Sequence, residues 1–182
     1  MVIAQNGPGI TGLVTPIKTA YWNHTPLLLV TPQAANKTMG QGGFQEVEQM
    51  NLFKDMVCYQ EEVRDASRMA EVLNRVIEKS IRGSAPAQIN VPRDLWTQVV
   101  DIQLPSIIRV ERASGGEKAI KQAADLLSNA KFPVILSGAG VILADAINEC
   151  KDLAEKLDAP VACGYQHNDS FPGSHPLAIG PL

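Results

Sequence analysis

The stretch Ala4-Gln5-Asn6-Gly7-Pro8-Gly9-Ile10-Thr11 decides the fold, because it joins the end of an apolar strand to the start of a helix. Gly7 and Gly9 can adopt a positive φ and let a ligand approach the bare backbone, while Pro8 restricts φ between them. In open α/β sheets such a turn lies at the carboxyl end of a strand, where small molecules bind. A ligand turn this close to the first residue indicates a chain that starts inside a domain.

Apolar runs alternate with helical periodicities downstream of this turn, as in a parallel α/β protein. The first predicted element is a helix over 10–23. It either starts near Gly9 and kinks at Pro16, which we favour, or has Thr15 as its cap and Pro16 as its first residue. The first half also holds predicted strands over 26–31, 56–59 and 87–92, a short helix over 48–54, and a helix that Asp65 caps and Gly83 ends. Ser114–Glu117 then reads as a capping box for a helix whose apolar face is Ile120, Ala123, Ala124 and Leu127. Next come a buried strand over 132–136, a turn over 137–140, one helix from Leu143 to Leu157, a strand over 159–163, and no closing element before Leu182.

Residues 96–112 lack helical periodicity and contain Pro105, so we interpret them as an interdomain linker. The first domain then spans residues 1–95 and the second residues 113–182. The predicted fold class is α/β, with two partial units that each hold a parallel sheet in three layers.

Composition excludes several classes of protein. A net charge of −3 over 182 residues, without a run of Lys or Arg, argues against nucleic-acid binding. No apolar run reaches the ~18 residues of a membrane span, and no basic region follows Met1, so neither an anchor nor a signal peptide is expected. Three widely spaced cysteines fit reduced thiols in a cytoplasmic protein.

Two polar loops follow predicted strands, at 32–47 and 164–172, and long loops in that position are usually functional. Phe44–Gln45 suits a pocket that packs one part of a ligand and hydrogen-bonds another, unless the glycine-rich loop is simply flexible. Glu46 and Glu48 flank that loop as solvated side chains. His167 either faces a ligand or belongs to a solvent loop, and no histidine has the spacing of a metal ligand. Gly138-Ala139-Gly140 is either a structural turn or a nucleotide-binding one.

Motifs along nearly the whole chain resemble the thiamine-diphosphate enzymes related to acetolactate synthase. Those of the pyrimidine-binding domain are Gln5–Thr11, Ala20–Pro26, Thr31–Ala34, Gly42–Glu46 and Asn90–Asp94, and those of the central domain are Phe132–Val141, Leu153–Val161 and His175–Leu177. Within this superfamily, Gln5-Asn6, Tyr21–His24 and His167–Pro172 look like the sulfoacetaldehyde acetyltransferase family, whereas acetolactate synthases usually differ at all three.

The resemblance implies that residues 1–95 are the C-terminal part of a pyrimidine-binding domain and residues 113–182 the N-terminal part of a Rossmann-like central domain. The chain would be a fragment that lacks the third domain, which holds Mg²⁺ and the cofactor diphosphate, and the family's activating glutamate. We therefore expect the isolated chain to be inactive. The implied site residues are Asn6, Gly7, Pro8 and Gly9 beside thiamine diphosphate, and Phe44 and Gln45 lining the active site. The resemblance does not say which residues bind the sulfonate, for which His167, Lys37 and Arg93 are the available candidates.

The implied enzyme is a cytoplasmic homodimer or homotetramer that uses thiamine diphosphate and Mg²⁺. It would convert sulfoacetaldehyde and phosphate into acetyl phosphate and sulfite, in taurine and sulfonate degradation. Two alternatives stay open. One is a carboligase like acetolactate synthase, and the other is a non-catalytic ligand-binding or assembly module, if the chain is complete.

Overall fold

The computed structural model describes residues 1–106 and 113–182. The chain divides into two compact units, Met1–Glu111 and Arg112–Leu182. Each unit contains a parallel β-sheet, which confirms the predicted α/β class with two parallel-sheet units. Within the expected linker, residues 96–106 hold no helix or strand, and residues 107–112 lie outside the described residues. No helix in the described ranges has both the length and the apolar character of a membrane span.

The first unit is built on a four-stranded sheet in the order β1-β2-β4-β3, with all neighbouring strands parallel. Because the strands run in one direction, their carboxyl ends meet at a single edge of the sheet. The elements are β1 (Val2–Ile3), α1 (Pro8–Thr11), α2 (Val14–Trp22), β2 (Leu27–Gln33), α3 (Gln49–Phe53), β3 (Tyr59–Glu62), α4 (Met69–Gly83) and β4 (Pro86–Pro92), with 3₁₀ turns at Ala66–Arg68 and Arg93–Leu95.

Helices cover both faces of this sheet, which gives the first unit three layers. Helix α4 packs on one face through Val72 and Val76, against alternate residues of the strands such as Val30 and Ile89. Helices α1, α2 and α3 cover the other face, where Leu29 of β2 is fully buried. Burial on both faces explains why β2 reads as an apolar run in the sequence, whereas β4 alternates apolar residues with the buried polar residues Gln88 and Asn90.

The single kinked helix predicted over residues 10–23 is wrong, because the chain forms two helices that are interrupted at Gly12 and Leu13. Pro16 lies in the first turn of α2, where a backbone N–H has no partner inside the helix. The proline therefore fits without a kink, and the break falls between the two helices instead.

Two further boundaries differ from the prediction in this unit. Strand β3 begins at Tyr59 and not at Met56, because its parallel pairing places Tyr59 beside Ala87 of β4. Helix α4 includes Gly83, and the next residue, Ser84, takes the left-handed conformation that ends the helix.

The second unit contains a smaller sheet of three parallel strands in the order β5-β6-β7. Its core lies between this sheet, helix α7 and Phe171, which is 2% exposed. The elements are α5 (Glu117–Ser128), β5 (Ile135–Ser137), α6 (Ala139–Leu143), α7 (Ile147–Leu157), β6 (Val161–Cys163) and β7 (Ala178–Pro181), with a 3₁₀ turn at Asn168–Ser170.

The second unit corrects four predictions. Helix α5 starts after Gly116 without a side-chain cap, so the capping box at Ser114 is wrong. None of its residues is buried, because an amphipathic helix buries its apolar face only where another element covers it. The strand predicted over 132–136 is the shorter, partly exposed β5, and the long helix predicted next is broken at Asp145, whose φ is 53°. Strand β7 pairs with β6 and forms the closing element that we did not predict.

Candidate active site at the edge of the first sheet

The carboxyl ends of β1, β2 and β4 border a cavity of about 370 Å³ in the first unit. The turn after β1 contributes Gln5 and Asn6, and the loop after β2 contributes Phe44 and Gln45. Arg93, directly after β4, completes the rim. The sheet thus brings together two motifs that the sequence separates by nearly 40 residues.

Gly7 forms the close contact between the turn and the loop. Its φ is +73°, and a Cβ atom there would lie only 2.6 Å from the carbonyl oxygen of Gln45. Gln45 also takes a positive φ, of 61°, which is uncommon for a residue with a side chain. Its Oε1 accepts a hydrogen bond of 3.0 Å from Gln5 Nε2. The turn and the loop therefore fix each other's position at the cavity.

Pro8 and Gly9, the other two residues of the turn, both belong to helix α1, and Gly9 does not adopt the positive φ that the sequence allowed for it. Pro8 is the first residue of α1, where its missing N–H costs no hydrogen bond. Gly9 lies inside α1 without a positive φ, and a Cβ there would come within 3.2 Å of Ala4 and Gln5. Gly9 is therefore a packing position, and neither residue lines the cavity.

A carboxylate organises the glycine-rich loop. The two side-chain oxygens of Glu46 accept hydrogen bonds from the backbone N–H groups of Gly40 and Gly43, the latter at 3.0 Å. The expectation that Glu46 is merely solvated is therefore wrong. Its neighbour Glu48 remains exposed and makes no side-chain cap at the start of α3.

Two buried glutamines hold the ends of this loop against β2. Gln33 donates from Nε2 to the carbonyl of Val47 at 2.9 Å, and its Oε1 accepts from the N–H of Ala34 at 2.8 Å. Gln49 donates from Nε2 to the carbonyl of Pro32 at 2.6 Å. We did not predict a role for either residue from the sequence. A glutamine at the end of a buried strand could have indicated one, because its buried amide needs hydrogen-bond partners.

Next to Gln33 and Gln49, a network of buried polar side chains lies inside the first unit. Thr31, Gln88 and Asn90 are all completely buried. Thr31 Oγ1 donates to Asn90 Oδ1 at 2.7 Å and accepts from Gln88 Nε2 at 2.9 Å. Because these partners lie on β2 and β4, the network ties the two central strands together beneath the cavity.

Asn6 is the residue that fits a cofactor best. Its Oδ1 is buried yet accepts no hydrogen bond from any residue that the structure describes. Such an acceptor calls for a donor from outside these residues, and the amino group of the cofactor's aminopyrimidine is one. Phe44 is 86% exposed at the cavity rim and offers an apolar surface to a ring. The residues present therefore fit the pyrimidine end of thiamine diphosphate.

The remaining predicted positions lie away from this cavity. Lys37 is an exposed residue of the turn after β2 and does not line it. His167 belongs to the second unit, where it precedes the 3₁₀ turn after β6. Gly138 and Gly140 have no atom within 4 Å of a Cβ position, so packing does not require either glycine. Over residues 1–106 and 113–182, no group of three or more His, Cys, Asp or Glu is arranged so that it could hold a metal ion.

Several shifted pKa values belong to an ion network around Arg75 in the first unit, none of whose residues lines the cavity. Hydrogen bonds from Arg68 and Arg75 lower the pKa of Glu71 to about 2. The hydrogen bond from Arg75 also lowers the pKa of Glu61, and Glu61 in turn raises the pKa of the Tyr59 hydroxyl. These residues tie α4 to β3, and we assign them a structural role.

Two family models match the chain. Residues 1–52 match the thiamine pyrophosphate enzyme N-terminal TPP binding domain, and residues 120–182 match the thiamine pyrophosphate enzyme central domain. Together the matched stretches make up more than half of the chain.

Relatives in bacteria match along the complete chain. It is 78% identical to a sulfoacetaldehyde acetyltransferase of Roseovarius nubinhibens and covers 30% of that protein. It is 73% identical to a probable sulfoacetaldehyde acetyltransferase of Rhizobium meliloti and covers 31% of it. A probable acetolactate synthase large subunit of Methanocaldococcus jannaschii is more distant, with 32% identity over 98% of the chain and 32% of that protein. The chain thus spans about a third of the length of these relatives.

Among solved structures, the chain resembles the thiamine diphosphate-dependent 4-hydroxybenzoylformate decarboxylase of Rhodococcus jostii. The TM-score is 0.86 at 25% identity, over 100% of this chain and 36% of that one. The fold and both domain models agree, and the chain belongs to the thiamine pyrophosphate enzyme family.

Proposed function

We propose that this chain supplies part of the active site of a thiamine-diphosphate-dependent sulfoacetaldehyde acetyltransferase. One observation carries the proposal: Asn6 and the pair Phe44–Gln45 line one cavity, in a chain 78% identical to an enzyme of that name. The reaction is the conversion of sulfoacetaldehyde and hydrogen phosphate into acetyl phosphate and hydrogen sulfite. The carbon–sulfur bond of sulfoacetaldehyde breaks, and a bond forms between the acetyl carbonyl carbon and a phosphate oxygen.

The residues of the cavity have distinct roles in this proposal. Thiamine diphosphate, when bound, supplies the carbanion chemistry. Asn6 Oδ1 accepts a hydrogen bond from the aminopyrimidine, and the Gly7 turn keeps Asn6 in place. The exposed ring of Phe44 packs against the reactants and excludes water, while the amide of Gln45 orients a polar group of the substrate.

Further parts of the proposal concern the whole enzyme. It is a cytoplasmic homodimer or homotetramer, and its Mg²⁺ ligands lie outside this chain. Residues 1–95 and 113–182 are the pyrimidine-binding and central parts, joined by the linker at 96–112. Lys37 of the first unit and His167 of the second are further candidates for binding the substrate.

The experiment assays the natural full-length protein with thiamine diphosphate and Mg²⁺. We expect sulfite release from sulfoacetaldehyde that depends on phosphate, together with acetyl phosphate trapped as the hydroxamate. Production of acetolactate from pyruvate, without sulfite release, would instead show the carboligase. Cofactor binding without any turnover would favour the non-catalytic module.

A variant tests the role of Asn6. We expect Asn6→Ala to raise the thiamine diphosphate concentration for half-saturation about 10-fold, which is the effect of losing one buried hydrogen bond. Asn51→Ala, at an exposed position of α3, is the matched control and should leave this concentration unchanged. Equal cofactor affinity in both variants would remove Asn6 from the cofactor site.

A further inference from the structure

Arg93 occupies a distinctive place at the cavity. It is the first residue after the completely buried strand β4, at the carboxyl edge of the sheet. The 3₁₀ turn Arg93–Leu95 begins with it, and Leu95 is anchored in the core on the α4 face. The position of its backbone is therefore set by the sheet, and its side chain borders the same cavity as Asn6, Phe44 and Gln45.

The charge of Arg93 has no counterpart at this site. Among the described residues that line the cavity there is no Asp or Glu, and Arg93 is the one charged side chain. Within residues 1–106 and 113–182, its guanidinium makes no ion pair or hydrogen bond. By contrast, Arg68, Arg75 and Arg82 are each paired with a glutamate.

The adjacent carboxylate does not neutralise Arg93 either. Asp94 Oδ1 accepts a hydrogen bond from the backbone N–H of Asn36 at 3.1 Å and lies 3.4 Å from the amide nitrogen of the same residue. Asp94 thus closes the turn after β2, and the guanidinium beside it stays available. A guanidinium presents five donors in a planar fork that matches tetrahedral oxyanions such as sulfonate and phosphate.

We infer that Arg93 binds the oxyanion group of a substrate in this cavity and sets the enzyme's preference for a charged aldehyde or acceptor. The inference rests on the proposed function, whose two substrates carry a sulfonate and a phosphate group. Arg93 holds the anion from the end of β4, whereas Asn6 and Gln45 contribute from the segments after β1 and β2. It explains how an aldehyde with a negative charge is retained in an otherwise uncharged pocket.

The test compares Arg93→Met, Arg93→Lys and the control Arg64→Met in the natural full-length protein with bound cofactor. Arg64 is an exposed arginine just after β3, outside the cavity and without an ion pair among the described residues. Calorimetry measures the binding of 2-hydroxyethanesulfonate, an unreactive sulfonate, and of inorganic phosphate. Steady-state assays measure KM for sulfoacetaldehyde and for phosphate, and circular dichroism verifies that each variant is folded.

We expect Arg93→Met to weaken 2-hydroxyethanesulfonate binding and raise KM for sulfoacetaldehyde by roughly 10- to 100-fold, the range for a lost charge-assisted hydrogen bond. Arg93→Lys, which keeps the charge but loses the fork, should fall in between. If phosphate binding and its KM change instead, the anion held is the acceptor. Unchanged binding of both anions, at the level of Arg64→Met, overturns the inference.

The binding arm separates this inference from the proposed function. If the natural protein releases no sulfite but Arg93→Met still loses anion binding, the proposed reaction fails and the anion site stands. If sulfite is released at equal KM values in Arg93→Met and Arg64→Met, the reaction stands and the anion site fails.

Discussion

Gly7 shows how much one residue determines at this site. Its φ of +73° and ψ of −107° lie in a region that side chains rarely enter, and Gln45 fills the space beside it. The neighbouring glycine at position 9 is helical, so the two glycines of the same turn have different tasks. The ligand turn depends on Gly7 for its shape and on Gly9 for packing.

We predict that Gly7→Ala destabilises the chain by roughly 1–3 kcal/mol, because the strained φ and the contact with Gln45 must both be relieved. Gly12→Ala is the control, since Gly12 has a φ of −63° and the carbonyl oxygens nearest to a Cβ there would lie at 3.5 Å. Chemical denaturation monitored by tryptophan fluorescence measures both variants. Equal midpoints for Gly7→Ala and the wild-type chain would contradict the steric argument.

At the scale of elements, the glycine-rich loop is an ordered part of the site. Glu46 ties Gly40 and Gly43 together, and Gln33 holds Val47 from β2. The loop therefore presents Phe44 and Gln45 from a fixed frame, although half of its residues are exposed. A polar, glycine-rich composition describes both ordered and flexible loops, which is why the sequence left the alternatives open.

We predict that Glu46→Gln loosens this loop, because an amide offers a single acceptor where the carboxylate accepts two N–H groups. The backbone amides of Gly40 and Gly43 should exchange their hydrogens at least several-fold faster, as expected when local protection is lost. Hydrogen exchange measured by NMR is the readout. Glu48→Gln, at the exposed neighbouring acid, should leave these rates unchanged, and equal rates in both variants would refute the role of Glu46.

Helix α4 is attached to β3 by the ion network of Arg75 with Glu61 and Glu71. The pKa of each glutamate is lowered by its arginine partners. A carboxyl group with a lowered pKa in the folded state binds fewer protons than in the unfolded state, so its contribution is complete above the unfolded pKa. The contribution is lost as the pH falls from about 4.5 towards the folded pKa, which for Glu71 is about 2.

We therefore predict that the urea midpoint of the chain falls between pH 5 and pH 2.5. Arg75→Met should reduce this slope, because it raises the pKa of Glu61 towards its ordinary value and leaves Glu71 with Arg68 as its arginine partner. Arg82→Met removes a solvent-exposed pair with Glu78 on the same helix and is the control. An equal pH dependence of the wild-type chain and Arg75→Met would show that the network does not contribute to stability.

At the scale of the whole molecule, the two units differ in how their apolar residues are covered. The first unit has buried clusters on both faces of its sheet. In the second unit, Phe171 is 2% exposed, whereas Phe132 is 76% exposed and the entire helix α5 is accessible. Stability in the second unit thus depends on the small cluster around β6 and α7.

We predict that Phe171→Ala costs about 3–5 kcal/mol, the range for deleting a buried aromatic ring, and unfolds much of the second unit. Loss of amide protection in β6, followed by hydrogen exchange, is the measurement. Phe132→Ala is the matched control, and we expect it to change stability by less than about 0.5 kcal/mol. Similar protection of β6 in the two variants would show that Phe171 is not the centre of this core.

The sequence predicted those elements whose burial leaves a regular pattern of residues along the element itself. Strand β2 was found because both of its faces are buried, which produces a continuous apolar run. Strand β4 was also found, although the buried polar residues Gln88 and Asn90 alternate with its apolar ones. Predictions failed where a partner distant in sequence decides the outcome. The start of β3 follows from its pairing with Ala87, and β7 exists because β6 offers it an edge. The capping box at Ser114 failed because the helix begins two residues later than the motif suggests.

The sequence by itself determined the α/β class, the turn at Asn6–Gly9 and the resemblance to the thiamine-diphosphate enzymes. These properties depend on residues that are close together in the sequence, so they can be recognised without knowing the fold. Only the tertiary structure decided that Gln45 meets Gly7, that Glu46 ties the loop, and that Arg93 borders the cavity with no side-chain partner among the described residues. The physical reason is that parallel strands bring their carboxyl ends to one edge, so side chains that are far apart in sequence share a site.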